Sequence, residues 1–194
     1  LKMVGFEPGN GSPARVLLEP IGLQETLILP ANQRFRVDDM SFETTKERKL
    51  EPCHIIGLYT NQNGSYKDYY YVLDPEILIG ANIFGDAPEE GMEVYIVMDQ
   101  TPPPMTDSIF YLKTTGEYDR NPPEEKNRNR LAQIAWECYT TEGFVHMNVK
   151  DETDGFLLDG EIRFRMPEQP AEPYQKNGME GYVFRGTLKK AQYD

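Results

Sequence analysis

The chain has 194 residues, in which 20 Lys and Arg stand against 32 Asp and Glu, for a formal charge of −12. That balance excludes a nucleic-acid binder, because phosphate contacts need a basic face, and it opposes docking on an anionic membrane. No apolar run approaches the ~20 residues of a membrane helix, while 12 Tyr, 9 Phe and one Trp supply the aromatic content that disordered chains lack.

At this length one domain spanning residues 1–194 is expected. The acid excess is even: residues 1–97 carry 8 basic and 15 acidic groups (8 − 15 = −7), and residues 98–194 carry 12 and 17 (12 − 17 = −5). Charge therefore marks no domain boundary, acidic tail or basic arm. Leu1 rather than Met opens the chain, which reads as a removed leader or a chosen boundary.

In chain order, strands are expected at residues 15–19, 25–29 and 34–38, the last from the alternation Arg34-Phe35-Arg36-Val37-Asp38. Residues 53–60 and 66–73 follow, separated by the turn-forming Asn61-Gln62-Asn63-Gly64. Further strands are expected at 77–79, 92–98 and 108–115, with Val94, Ile96 and Met98 on one face of the second. Pro122-Pro123-Glu124-Glu125 is a helix-start pattern, so a short helix is expected near residues 123–130. Residues 132–141 fit both periods, and the strand is preferred for its aromatic and β-branched content. An antiparallel hairpin over 143–150 and 156–166, a Pro-rich loop and a strand at 182–188 complete the list. About ten short antiparallel strands predict an all-β sandwich or a partly closed barrel.

The most unusual composition is Tyr66-Lys67-Asp68-Tyr69-Tyr70-Tyr71. Tyr is amphipathic and loses little entropy on contact, so Tyr66, Tyr69 and Tyr71 are the candidate ligand-binding residues. As a strand, this segment would put Tyr69 and Tyr71 on one face and Tyr70 on the other. The turn Asp151-Glu152-Thr153-Asp154-Gly155 clusters oxygen donors, making Asp151 and Asp154 the candidate calcium ligands. The competing reading is a solvated hairpin turn with Gly155 at positive φ.

Catalytic signals are weak. His54 and His146 are the only histidines, and neither lies in a nucleophile-elbow or cysteine-protease context. Carboxylate pairs such as Asp38/Asp39, Glu89/Glu90/Glu93 and Glu124/Glu125 are expected by chance among 32 acids. No phosphate loop, dinucleotide fingerprint or zinc spacing occurs, so no cofactor is expected. Cys53 and Cys138 fit a disulfide or two thiols in a β core equally well. Asn10-Gly11-Ser12 and Asn63-Gly64-Ser65 match the glycosylation triplet, but both read first as Gly-containing turns.

Gly143-Phe144-Val145-His146-Met147, Leu158-Asp159-Gly160-Glu161-Ile162-Arg163-Phe164 and Gly181-Tyr182-Val183-Phe184 resemble the closing strands of small bacterial envelope lipoproteins with calycin-like or sandwich β-domains. The resemblance covers about residues 143–188. It implies a secreted or envelope location and supplies no catalytic residue. The reading that follows is a non-catalytic binding domain for a glycan, a small apolar ligand or a protein partner. An assembly subunit pairing through strand edges and a carboxylate hydrolase on a β scaffold are the alternatives.

Overall fold

The computed structural model describes residues 23–73, 80–114 and 132–191. The strands expected at 15–19 and 77–79 and the helix expected near 123–130 lie outside the described residues. The chain divides into two compact units, residues 1–52 and 53–194.

The first unit contains two short antiparallel pairs among the described residues. Strand β1 (Leu27–Leu29) pairs with β4 (Arg48–Leu50), and β2 (Arg34–Val37) pairs with β3 (Met40–Glu43). The tip of the second pair is Asp38-Asp39, with Asp38 at φ 51°. These adjacent acids form a turn rather than an acid–base pair. Phe35 stacks on Phe42 across the pair at 5.7 Å. Thr44 ties the two pairs together: its hydroxyl donates to the Pro30 carbonyl (2.6 Å) and accepts the Gln33 N–H (2.8 Å).

The second unit is all-β and sandwich-like, with antiparallel sheets that do not close into a barrel. Its larger sheet contains β5 (Ile55–Gln62), β6 (Ser65–Asp68), β7 (Glu93–Met98), β9 (Ala132–Thr140), β10 (Gly143–Met147) and β14 (Met179–Ala191) in the order β10-β9-β14-β7-β5-β6. The seventh strand, β13 (Pro173–Lys176), pairs with the first part of β14. The smaller sheet has the order β11-β12-β8, from β8 (Asp107–Leu112), β11 (Val149–Asp151) and β12 (Gly160–Arg165). Strands β10 and β11 are nearly continuous and carry the chain from one sheet to the other across Asn148.

The sheets meet through their apolar positions. Val94, Ile96, Ile134, Trp136, Cys138, Phe184 and Leu188 of the larger sheet are buried in one cluster with Ile162 and Phe164 of the smaller. Phe110 closes it from β8, 4.8 Å from Phe164 and edge-on to Phe184 at 5.3 Å. The indole of Trp136 packs over Gly186, where an added Cβ would sit 2.9 Å from Val94 and 3.1 Å from the indole ring. Gly186 thus makes room for the largest side chain of the core.

Most expected strands appear within a few residues of their expected ends. Residues 132–140 are strand, and the alternation of Ile134, Trp136 and Cys138 points inward. Two expectations fail. Residues 143–150 and 156–166 do not form one hairpin, because β10 pairs with β9 in the larger sheet and only the three residues of β11 pair with β12. Residues 66–73 are not a single strand. Strand β6 ends at Asp68, whose carboxylate accepts the Tyr70 N–H at 2.7 Å, and a 3-10 turn runs over Tyr70–Leu73. An Asp side chain that bonds the backbone two residues on turns the chain out of the ladder. Cys53 and Cys138 are not bridged. Burial pushes the Cys138 thiol up to about 12. No helix of the described residues is long and apolar enough to cross a membrane.

Candidate functional site

The larger sheet has a second face, turned away from the core, and its register assembles an unusual set of side chains there. Directly opposed residues on neighbouring strands share a face. The pairings therefore align His146, Glu137, Arg185, Tyr95, Tyr59 and Asp68 in one row across β10, β9, β14, β7, β5 and β6. A parallel row holds Thr187, Glu93, Asn61 and Tyr66.

Arg185 is the hub. Its Nε donates to Glu137 Oε2 at 2.9 Å, and its Nη2 lies 2.7 Å from the same oxygen. Its Nη1 lies 3.6 Å from Glu93 Oε1, and its guanidinium sits 3.9 Å over the Phe144 ring. Burial acts to lower the basicity of Arg185, but Glu137 and Glu93 outweigh it and hold the group above its ordinary value. Glu93 Oε2 also accepts the Asn61 amide at 2.7 Å and the Tyr95 hydroxyl at 2.6 Å. Burial, then the bond to Glu93, pushes the Tyr95 phenol far above the usual range. The Asn61 amide is itself oriented, because its Oδ1 accepts the Gly64 N–H of the β5–β6 turn at 2.9 Å.

Aromatic rings flank this network on both sides. Tyr66 lies 5.9 Å from Tyr95 and stays 37% exposed. On the other side Tyr139, Phe144 and Tyr174 form a cluster, with Tyr139 edge-on to Tyr174 at 5.0 Å and to Phe144 at 5.2 Å. Tyr174 is itself buried, in one cluster with Val97, Met179 and Val183. The result is a face of ring planes and fixed polar groups whose rotamers are locked by one another.

The structure separates the three candidate tyrosines. Tyr66 belongs to this face. Tyr69 is 4% exposed, and its hydroxyl donates to the Asn82 carbonyl at 3.3 Å. Tyr71, on the 3-10 turn, is exposed and leans on Tyr69 at 6.1 Å. The pairings of β14 with both β7 and β9 bring in Arg185 and Glu137, which residue spacing does not single out, and Glu93, which the sequence offers only as one acid of a chance group. Their only local signal is polar residues alternating with apolar ones on strands expected to be half-wet.

The acidic turn after β11 is tied into its own backbone. Asp151 Oδ1 accepts the Thr153 N–H at 2.7 Å and the Thr153 hydroxyl at 2.6 Å, and Oδ2 accepts the Gly155 N–H at 3.3 Å. Thr153 and Asp154 are buried, and Gly155 has φ 70° with Ala132 against it, so the turn is packed rather than solvated. Among the described residues no group of three or more His, Cys, Asp or Glu is arranged to hold a metal ion.

His54 and Asp99 form a second polar group, at the start of β5 and the end of β7. His54 Nδ1 is 2.8 Å from Asp99 Oδ2, and the His54 N–H donates to Asp99 Oδ1 at 2.7 Å. Burial acts to raise the Asp99 carboxyl, but the His54 hydrogen bonds outweigh it and hold the group below its usual range. The pair clamps two strand ends. Glu93 and Glu137, two of the carboxylates on the outer face, are both engaged by Arg185. Compared with known protein families and with curated proteins, the chain matches none.

Proposed function

We propose that the second unit is a non-catalytic binding module that takes a neutral glycan on the outer face of its larger sheet. One observation carries this reading: exposed Tyr66 stands beside a fixed array of Asn61, Glu93, Tyr95, Arg185 and Glu137, with Phe144 at its far end. Sugars offer C–H faces that stack on aromatic rings and hydroxyls that both donate and accept hydrogen bonds. A pre-organised mix of ring, amide, carboxylate and guanidinium answers both demands. The face is a sheet surface, which suits a length of polymer better than an enclosed small molecule.

A small apolar ligand is disfavoured, because the sheets do not close around a lumen and their interior is filled by Trp136, Phe184 and their neighbours. An acidic glycan is disfavoured by the chain's net charge of −12 and by Glu93, Glu137 and Asp68 on the face itself. A glycan-facing module suits the secreted or envelope location implied by the lipoprotein resemblance. The test is a glycan array probed with the whole chain, with Tyr66→Ala and Arg185→Met in parallel. Binding to neutral oligosaccharides that both variants weaken is the expected result. An array that is blank for the unmodified chain overturns the reading.

A further inference from the structure

The four terminal strands of the two sheets differ in how well their edges are protected. Native proteins blunt sheet edges with short strands and charges, because an open edge invites another strand. Strand β11 has three residues, and β6 has four, of which two are Lys67 and Asp68. Strand β10 has five and carries His146. Strand β8 has six residues, Asp107-Ser108-Ile109-Phe110-Tyr111-Leu112, with no charge between Asp107 and Lys113. It pairs with β12 on one side and is the last strand on its path, so among the described residues its other edge has no strand beside it. Its outward side chains are unusually apolar: Ile109 is 42% and Tyr111 47% exposed.

The edge is complementary to itself. An antiparallel partner must keep inner residues on the core side, which restricts pairing to registers that match like faces. Placing a two-fold axis at Phe110 sets Asp107 against the partner's Lys113, Ile109 against the partner's Tyr111, and Phe110 against the partner's Phe110. Each unlike pair occurs twice by symmetry. Opposite charges and an aromatic–aliphatic pair are the favoured cross-strand combinations, and no like charges meet. We infer that a second copy of this chain docks on the β8 edge, antiparallel and centred on Phe110, merging two three-stranded sheets into one of six. The occupant is the chain itself, because the charges at the two ends of β8 complement each other only when the strand is reversed against itself. The inference concerns the smaller sheet and stands apart from the glycan-binding reading of the larger one.

Charge exchange tests it. Asp107→Lys places two lysines opposite each other at both ends of the paired strands, and Lys113→Asp places two aspartates opposite each other there. Mixing the two variants brings back opposite charges at both ends of a heterodimer, with both lysines supplied by one chain and both aspartates by the other. Sedimentation equilibrium should show dimer formation by the unmodified chain, dimerisation about tenfold weaker in each variant alone, and recovery in the equimolar mixture. A circular-dichroism melt of each variant checks its fold. Asp107 lies 3.9 Å from Arg165, so Asp107→Lys carries the greater risk to the fold. Lys113 is exposed beyond the end of the strand, so Lys113→Asp alone remains decisive. An unmodified chain that stays monomeric at all concentrations overturns the inference, as do variants that dimerise as well as it does.

Discussion

The two faces of the larger sheet are built by the same strands, yet they are different chemical objects. On β7 the inward residues Val94, Ile96 and Met98 are apolar and buried in the main core. The outward residues Glu93, Tyr95 and Val97 grade from an ion-pair network to a second apolar cluster. β14 repeats the pattern, with Phe184 and Leu188 inside and Val183 and Arg185 outside. The inner face follows the period-two rule and reports only on stability. The outer face carries more aromatic and polar order than a wet face needs, which is why the proposed binding surface lies there.

The largest effects are expected from inside. Trp136→Ala removes the central side chain of the core and should cost ~3–5 kcal/mol, read from urea unfolding. Gly186→Ala keeps every inward side chain but forces a methyl group against Val94 and the indole, and should cost ~1–3 kcal/mol. A cost near zero would show that the indole is not held against β14. On the outer face, Arg185→Met removes the guanidinium from over Phe144 and leaves two half-buried carboxylates without their cation. About 1–2 kcal/mol is expected, and a double-mutant cycle with Glu137→Gln should recover part of it.

A thiol titration separates the faces by chemistry. The folded Cys138 thiol lies above its ordinary value of 9.0, at about 12, so the folded state holds this proton more tightly than the unfolded one. Its contribution to stability is fully present below pH 9 and is lost as pH rises toward 12. Native Cys138 should therefore resist a thiol reagent at pH 8 and react once urea unfolds the chain. Rapid native labelling would contradict the packing described for the inner face. Smallest of all in stability, Tyr66→Ala should shift unfolding by no more than ~0.5 kcal/mol.

The inner face is largely legible in the sequence, because alternation such as Ile134-x-Trp136-x-Cys138 is local information. Turn chemistry is partly legible. Gly155 at positive φ follows from its setting, and Asn63-Gly64 stands out as a break. Asn177-Gly178 carries the same signal and joins β13, a strand not among those expected, to β14; both Asn-Gly turns have positive φ at each residue, as a tight hairpin requires. The Tyr66–Tyr71 run misleads because Asp68 takes the Tyr70 N–H, a choice between ladder and turn that alternation does not record.

The outer-face site is the least legible. Arg185, Glu137 and Glu93 lie on strands separated by tens of residues, and they meet only because β14 inserts between β9 and β7. Such non-local pairing leaves no trace in residue spacing. Only Tyr66, conspicuous for the composition around it, points to this surface.

The outer face is tested most directly by a binding isotherm with the strongest neutral oligosaccharide from the array, for the unmodified chain, Tyr66→Ala and Ile109→Lys. The expected result is binding by the unmodified chain, a loss of about tenfold or more in Tyr66→Ala from one lost aromatic contact, and an unchanged isotherm for Ile109→Lys on the other sheet. Equal binding by Tyr66→Ala and the unmodified chain would contradict the assignment of the outer face as the binding surface.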